Sequence, residues 1–242
     1  MVSSFKQFSA DDVVPTRTLL HEAIPMTGSV VSGTYSELNN KNFSHGLFQS
    51  VYDYPYLSSS ANHILDLTVG FPNNSALSGT TVIQNRQKIN MYNQFAQVLV
   101  GHDATGSILQ FDEDGNILAG GNKIKECFFM TFSRLLTKDE IKKGSFSMAL
   151  GANINYSSVS PFQHILTITD AGAQNDFRVN SPVGEYGILS ACAGGAYSGS
   201  TGSGSCGLIF YQAGVVILTG SVFLSTITPT GKLGANAQMH GN

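Results

Sequence analysis

The chain has 242 residues, 42% of them hydrophobic and only 12% charged, with 13 Lys+Arg, 16 Asp+Glu and a formal net charge of -3. This length and apolar share support a sizeable core and exclude disorder over most of the sequence. The missing basic excess excludes a polyanion-binding footprint, so direct nucleic-acid binding is not expected.

Charge content is half the roughly 25% usual in soluble domains. A neutral polar surface suits permanent burial against other subunits, because few ions must be desolvated. Residues 1–60 are dense in turn formers and aromatics: Phe5, Phe8, Tyr35, Phe43, Phe48, Tyr52, Tyr54 and Tyr56. Ser9 caps at most a short turn through Asp12, and Pro15 and Pro25 bracket anything helical between them. The stretch VYDYPYLSSSANH reads as extended chain with aromatic anchors, which either wraps its own body or reaches a neighbouring subunit. Phe5, Phe8, Tyr35, Phe48, Tyr52, Tyr54 and Tyr56 are the candidate interface residues of this N-terminal arm.

Residues 62–70, NHILDLTVG, alternate as a strand ended by Gly70 and Pro72. QNRQKINMYNQFAQVLVG places Lys88, Tyr92, Phe95, Ala96 and Leu99 at near-helical spacing, so a helix over about 85–99 is the preferred reading, with a helix-to-strand change at the β-branched ending QVLVG as the alternative. SILQF and ILAGG read as strands around the turn DEDGN, with Gly115 supplying positive φ. ECFFMTFSRLL is a mostly buried strand, and Thr137 with Glu140 forms a capping box that predicts one or two helical turns ended by Gly144. Beyond 144, SFSMAL, QHILTITD, DFRVN, EYGILSA, LIFYQAGVVIL and SVFLSTIT are apolar segments separated by turn-forming text. The expected fold is mainly β: an antiparallel sandwich or Greek-key-like body over 61–226, open to division into two subdomains near 144. One or two short helices, the arm over 1–60 and an irregular tail over 227–242 complete it.

Reactive signatures are weak. The run AGGAYSGSTGSGSCG at 193–207 has no lysine for a phosphate loop and no Gly-x-Ser-x-Gly elbow, so it reads as a structural connection or contact surface, with disorder as the main rival. Six scattered histidines form no ligand spacing, and Asp112, Glu113 and Asp114 lack the glycine and glutamate positions of a calcium loop. No segment nominates a pair of catalytic carboxylates. No catalytic residue, cofactor or metal is therefore assigned. Cys127 is expected as a buried thiol, and Cys192 and Cys206 flank the glycine run without any requirement to pair. MVSSFKQFSADD has no signal-peptide core and LIFYQAGVVIL is too short to span a bilayer, so synthesis in a reducing cytoplasm without membrane insertion is expected.

The phrases FKQFSADDVVPTRTLLHEAIPMTGSVVSGTY, SHGLFQSVYDYPYLSSSANHI, YNQFAQVLVG, FSRLLTKDEIKKGSF and RVNSPVGEYGIL are spread over most of the chain. They resemble those of a family of virion structural proteins from large contractile-tailed bacteriophages, including phages of marine cyanobacteria. The resemblance implies a non-enzymatic subunit made in the host cytoplasm and incorporated into the virion. Its partners would be other virion proteins and copies of itself. A tail or baseplate position is favoured because an arm ties neighbouring subunits together; neck, capsid decoration and host-surface glycan binding are the alternatives. The family carries no established catalytic residues to transfer.

Overall fold

The computed structural model describes residues 39–79, 83–117, 120–133, 139–154, 162–193 and 205–223. The predicted mainly β fold is found. Its strands are β1 (Asn40–Asn42), β2 (Phe48–Tyr52), β3 (His63–Gly70), β4 (Cys127–Phe132), β5 (Ser147–Ile154), β6 (Phe162–Thr169), β7 (Phe177–Ser181), β8 (Gly184–Ala193), β9 (Ser205–Phe210) and β10 (Val215–Thr219). A single α-helix, α1 (Ile83–Leu99), and three short 3-10 turns are present among the described residues. The strands form one antiparallel sheet in the order β1-β2-β3-β4-β10-β9-β8-β6-β5, with β7 pairing on β8.

The middle of this sheet is covered on both faces, which explains why CFFMTF, LIF and VVIL are continuous apolar runs. Along β10, Val216 and Leu218 enter one core cluster while Val215 and Ile217 enter the other. β9 splits in the same way, with Cys206 and Ile209 on one face and Leu208 and Phe210 on the opposite face. One cover is α1, whose buried Tyr92, Ala96 and Leu99 form a stripe at helical spacing. Phe95 stacks on Phe129 of β4 with centroids 4.3 Å apart, and Tyr92 meets Phe111 and Phe129 edge-on. Gly70 permits this approach, because a Cβ there would lie 2.9 Å from the Tyr92 amide nitrogen. The helix ends where Gly101, at φ +82, donates its N–H back to Ala96 O.

The other face is covered by the sheet itself. Phe132 at the end of β4 and Phe146 just before β5 have ring centroids 6.0 Å apart. Four strands lie between β4 and β5, so a flat sheet would separate them by about 24 Å. The sheet therefore curls around this cluster into a sandwich-like body.

Several local expectations give way to longer-range interactions. The helix predicted over 85–99 is α1, beginning two residues earlier at Ile83. SILQF is not a strand, and 118–119 of ILAGG lie outside the described residues; among the described residues this stretch forms only the isolated bridges His102↔Ile108 and Asp112↔Lys123. Side-chain oxygens take the backbone donors that a ladder would use, with Asp103 Oδ1 accepting from the amides of Thr105 and Ser107. Thr137 of the predicted capping box lies outside the described residues, and 139–144 are turn and bridge instead of helix. Ile141 is fully buried and donates its N–H to Tyr211 O, which holds the backbone away from helical pairing. LIFYQAGVVIL folds into β9, a tight turn at 211–214 and β10. SVF of the predicted last strand is a 3-10 turn, Gly220–Phe223, led by Gly220 N–H donating to Glu126 O.

Of the arm expected over 1–60, residues 1–38 lie outside the described residues, while 40–42 and 48–52 are strands of the sheet. The sheet thus begins ahead of residue 61, and it runs continuously through strands on both sides of residue 144. Residues 194–204 of the glycine run and the tail from 227 also lie outside the described residues.

Candidate functional site

Partly exposed aromatic rings gather along β1, β2 and the loop that follows, beside the exposed apolar side chains of Tyr54 and Leu57. The turn between β1 and β2 brings Phe43 against Phe48 at 4.8 Å and His45 against both rings, with Lys41 Nζ 5.0 Å from the Phe43 ring centre. His45 Nδ1 accepts the Leu47 N–H, which orients this imidazole. At the opposite end of β2, Tyr52 meets Tyr56 at 6.4 Å and His63 at 5.4 Å. Four residue steps along the strand, from Phe48 to Tyr52, separate the two clusters by about 13 Å.

The loop 53–62 is held by Asp53, whose two carboxylate oxygens accept from the Asn62 N–H and the Asn62 Nδ2. Those Asn62 donors, side chain first and then backbone, hold its carboxyl below the usual range. Asn39 Nδ2 donates to Tyr52 O and Asp53 O, tying the chain entering β1 to the end of β2. The loop then presents Tyr54 at 47% exposure and Leu57 at 81%.

Four of the seven candidate interface residues therefore belong to this rim: Phe48 and Tyr52 on β2, Tyr54 and Tyr56 in the loop. Phe5, Phe8 and Tyr35 lie outside the described residues. Leu57, His45 and His63 complete the surface and were not singled out from sequence. Leu57 directly follows YPY, and its apolar type inside a Ser-rich loop was the available signal.

The rim holds polar groups, but they do not form a nucleophilic triad. Ser50 Oγ donates to Asp66 Oδ1 at 2.5 Å, and His63 Nε2 contacts the same oxygen at 2.9 Å. The serine is paired with the carboxylate and not with the imidazole, so no base is placed on its proton.

The acidic turn is a structural knot. Asp112 is fully buried, accepts from Lys123 Nζ at 2.6 Å and accepts the Asp114 N–H. Burial, and then the Asp114 carboxyl, push Asp112 upward, while hydrogen bonding to Asp112 holds Asp114 low. Tyr186 Oη contacts Gly115 O at 2.8 Å and Asn180 Oδ1 at 2.7 Å, fastening the turn to the sheet; burial pushes this phenol up to about 12. Beside the turn, an open depression of about 620 Å³ is lined by Asn74, Gln110, Glu113, Asn122, Lys123 and Lys125. The bond from Lys123 to Asp112 and the nearby Glu113 leave it without the convergent positive charge of an anion site.

A second buried acid, Asp170, closes the other face. Its Oδ1 accepts the Phe146 N–H, and its Oδ2 accepts the Gly144 N–H and the Tyr211 hydroxyl, at 2.8, 2.8 and 3.0 Å. Burial pushes its carboxyl upward against the opposing pull of these three donors.

Among the described residues, no group of three or more His, Cys, Asp or Glu side chains could hold a metal ion, and no helix is long and apolar enough to cross a membrane. No protein-family model, curated protein or solved structure matches this chain.

Proposed function

We propose that the chain is a non-enzymatic structural subunit of a phage virion, in the tail or baseplate, that holds neighbouring subunits through the aromatic rim at β1–β2. The observation that carries this reading is the rim itself, where two clusters of partly exposed rings flank β2 and Tyr54 and Leu57 stand out beside them. Aromatic groups that remain exposed near a sheet edge are the usual anchors of protein contacts. The low charge of the chain and its resemblance to virion structural proteins support the same conclusion.

Replacing Tyr54 and Leu57 together by Ser tests it. Both side chains are exposed in the subunit, so the purified variant should keep the parent's thermal midpoint. Loss of two anchors worth about 1–2 kcal/mol each should reduce incorporation into particles at least about tenfold. Normal incorporation with normal infectivity would overturn the reading. Normal incorporation with lost adsorption would replace it by the host-surface alternative.

A further inference from the structure

The two lateral edges of the sheet are built differently. β1 is three residues long, NKN, with a lysine at its centre, and a short charged edge resists further pairing. β5 at the opposite edge is eight residues long, SMALGANI, without charge or proline. Its register with β6 runs unshifted from Ser147↔Thr169 to Ile154↔Phe162. Among the described residues no strand pairs with its outer side. Because an antiparallel strand points alternate pairs of backbone groups away from its neighbour, about half of the β5 N–H and C=O groups face outward along roughly 26 Å.

The side chains are also distinctive. Met148 and Leu150 pack against the inner core cluster but are only partly buried, so the apolar core runs out at this edge. Ser147 and Ala149, on the other face, are small and exposed. A complementary partner is an extended uncharged strand, apolar on the inner face and small on the outer one. β5 has these properties itself.

We infer that the outer edge of β5 pairs antiparallel with β5 of a second copy of this chain, about a two-fold axis perpendicular to the sheet at Ala149, so that Met148 opposes Leu150 and Ser147 opposes Gly151 of the second copy. Such a pairing opposes residues of the same face, so Met148 and Leu150 meet the inner-face side chains of the second copy and extend the core across the junction. Ser147 and Ala149 meet small residues, and no like charges are brought together. The same operation at β1 would set Lys41 close to its own counterpart. This self-contact adds a named interface to the assembly reading but stands without it, because it is tested on purified chain and the virion role is tested in particles.

Sedimentation of the full-length chain between about 1 and 100 μM should show a dimer. Ala149→Lys places like charges near the axis at a position already exposed in the subunit, and should weaken the dimer at least about tenfold while leaving the circular dichroism spectrum unchanged. Lys41→Ala, at the other edge, should leave it intact. Ala149→Cys should trap a disulfide-linked dimer under mild oxidation, since opposed strands bring Cα atoms within about 4.5–5.5 Å. A chain that stays monomeric over this range overturns the inference, including one that captures a strand only from a different protein. A dimer indifferent to Ala149→Lys and not trapped by Ala149→Cys overturns it equally.

Discussion

Asp170→Asn changes few atoms but breaks a bond that joins two parts of the fold. The carboxylate joins the turn before β5, through the amides of Gly144 and Phe146, to the hydroxyl of Tyr211 just after β9. An asparagine keeps one acceptor oxygen but turns an NH2 group toward a backbone N–H that has no lone pair to meet. In the better orientation its oxygen replaces Oδ2 and keeps Gly144 and Tyr211, leaving the Phe146 N–H unpaired in a buried setting. An unsatisfied buried donor costs about 1–3 kcal/mol, and the lost bond was to a buried acid, so about 2–3 kcal/mol is expected. Asp170→Ala, which abandons all three donors, should cost about 3–5 kcal/mol, and Tyr211→Phe only about 1 kcal/mol. Urea unfolding followed by circular dichroism measures this order directly. For a chain of this size the asparagine variant should also melt about 5–10 °C lower. An asparagine variant within about 0.5 kcal/mol of the parent would refute the assignment of this carboxylate as the clasp of the inner face.

Phe129→Ala should cost about 3–5 kcal/mol by urea unfolding, because Phe129 is fully buried and packs against Tyr92, Phe95 and Phe111; a cost near 1 kcal/mol would contradict that packing. Asp103 is held below its ordinary value of 3.8 by the Thr105 hydroxyl first and then by the Ser107 amide. A folded pKa below the unfolded one means that the carboxylate's contribution is present above that ordinary value and is lost as pH falls through the folded pKa. Amide exchange at Thr105 and Ser107 should therefore lose protection on acidification, and Asp103→Asn should abolish that pH dependence.

What was legible in the sequence follows the range over which each signal acts. The α1 stripe of Tyr92, Ala96 and Leu99 is local, and the helix formed within two residues of its predicted start. The capping-box expectation was equally local but failed over 139–144, where burial of Ile141 and its bond to Tyr211 dominate. SILQF alternates like a strand, yet Phe111 donates its N–H to the Tyr92 hydroxyl and Leu109 donates to Gly101 O, so no ladder partner remains for it. The rim was half legible: aromatic type marks Phe48, Tyr52, Tyr54 and Tyr56 in the text. The register of β2 on β3, with its shift between Val51 and Tyr52, is set by pairing and brings His63 to Tyr52. Asp170 read only as the end of a strand, because its three donors come from residues 24 to 41 positions away.

A sheet buried on both faces at its centre has few places left to engage a partner. Among the described elements, β9 and β10 are sealed by neighbouring strands and by the two core clusters, so no backbone group of theirs is open to another chain. Unused pairing capacity remains at the lateral edges, and exposed apolar surface remains at Tyr54, Leu57 and isolated positions at Leu77, on α1 and on β7. With only 12% charged residues, electrostatic attraction contributes little to bringing such edges together, and encounter should proceed at the slower rate typical of neutral surfaces. Recognition then depends on contacts formed after encounter: backbone pairing that tolerates one register, and rings that need a shaped pocket. Both act chiefly on dissociation, which suits the proposed role of a subunit that is incorporated once and retained.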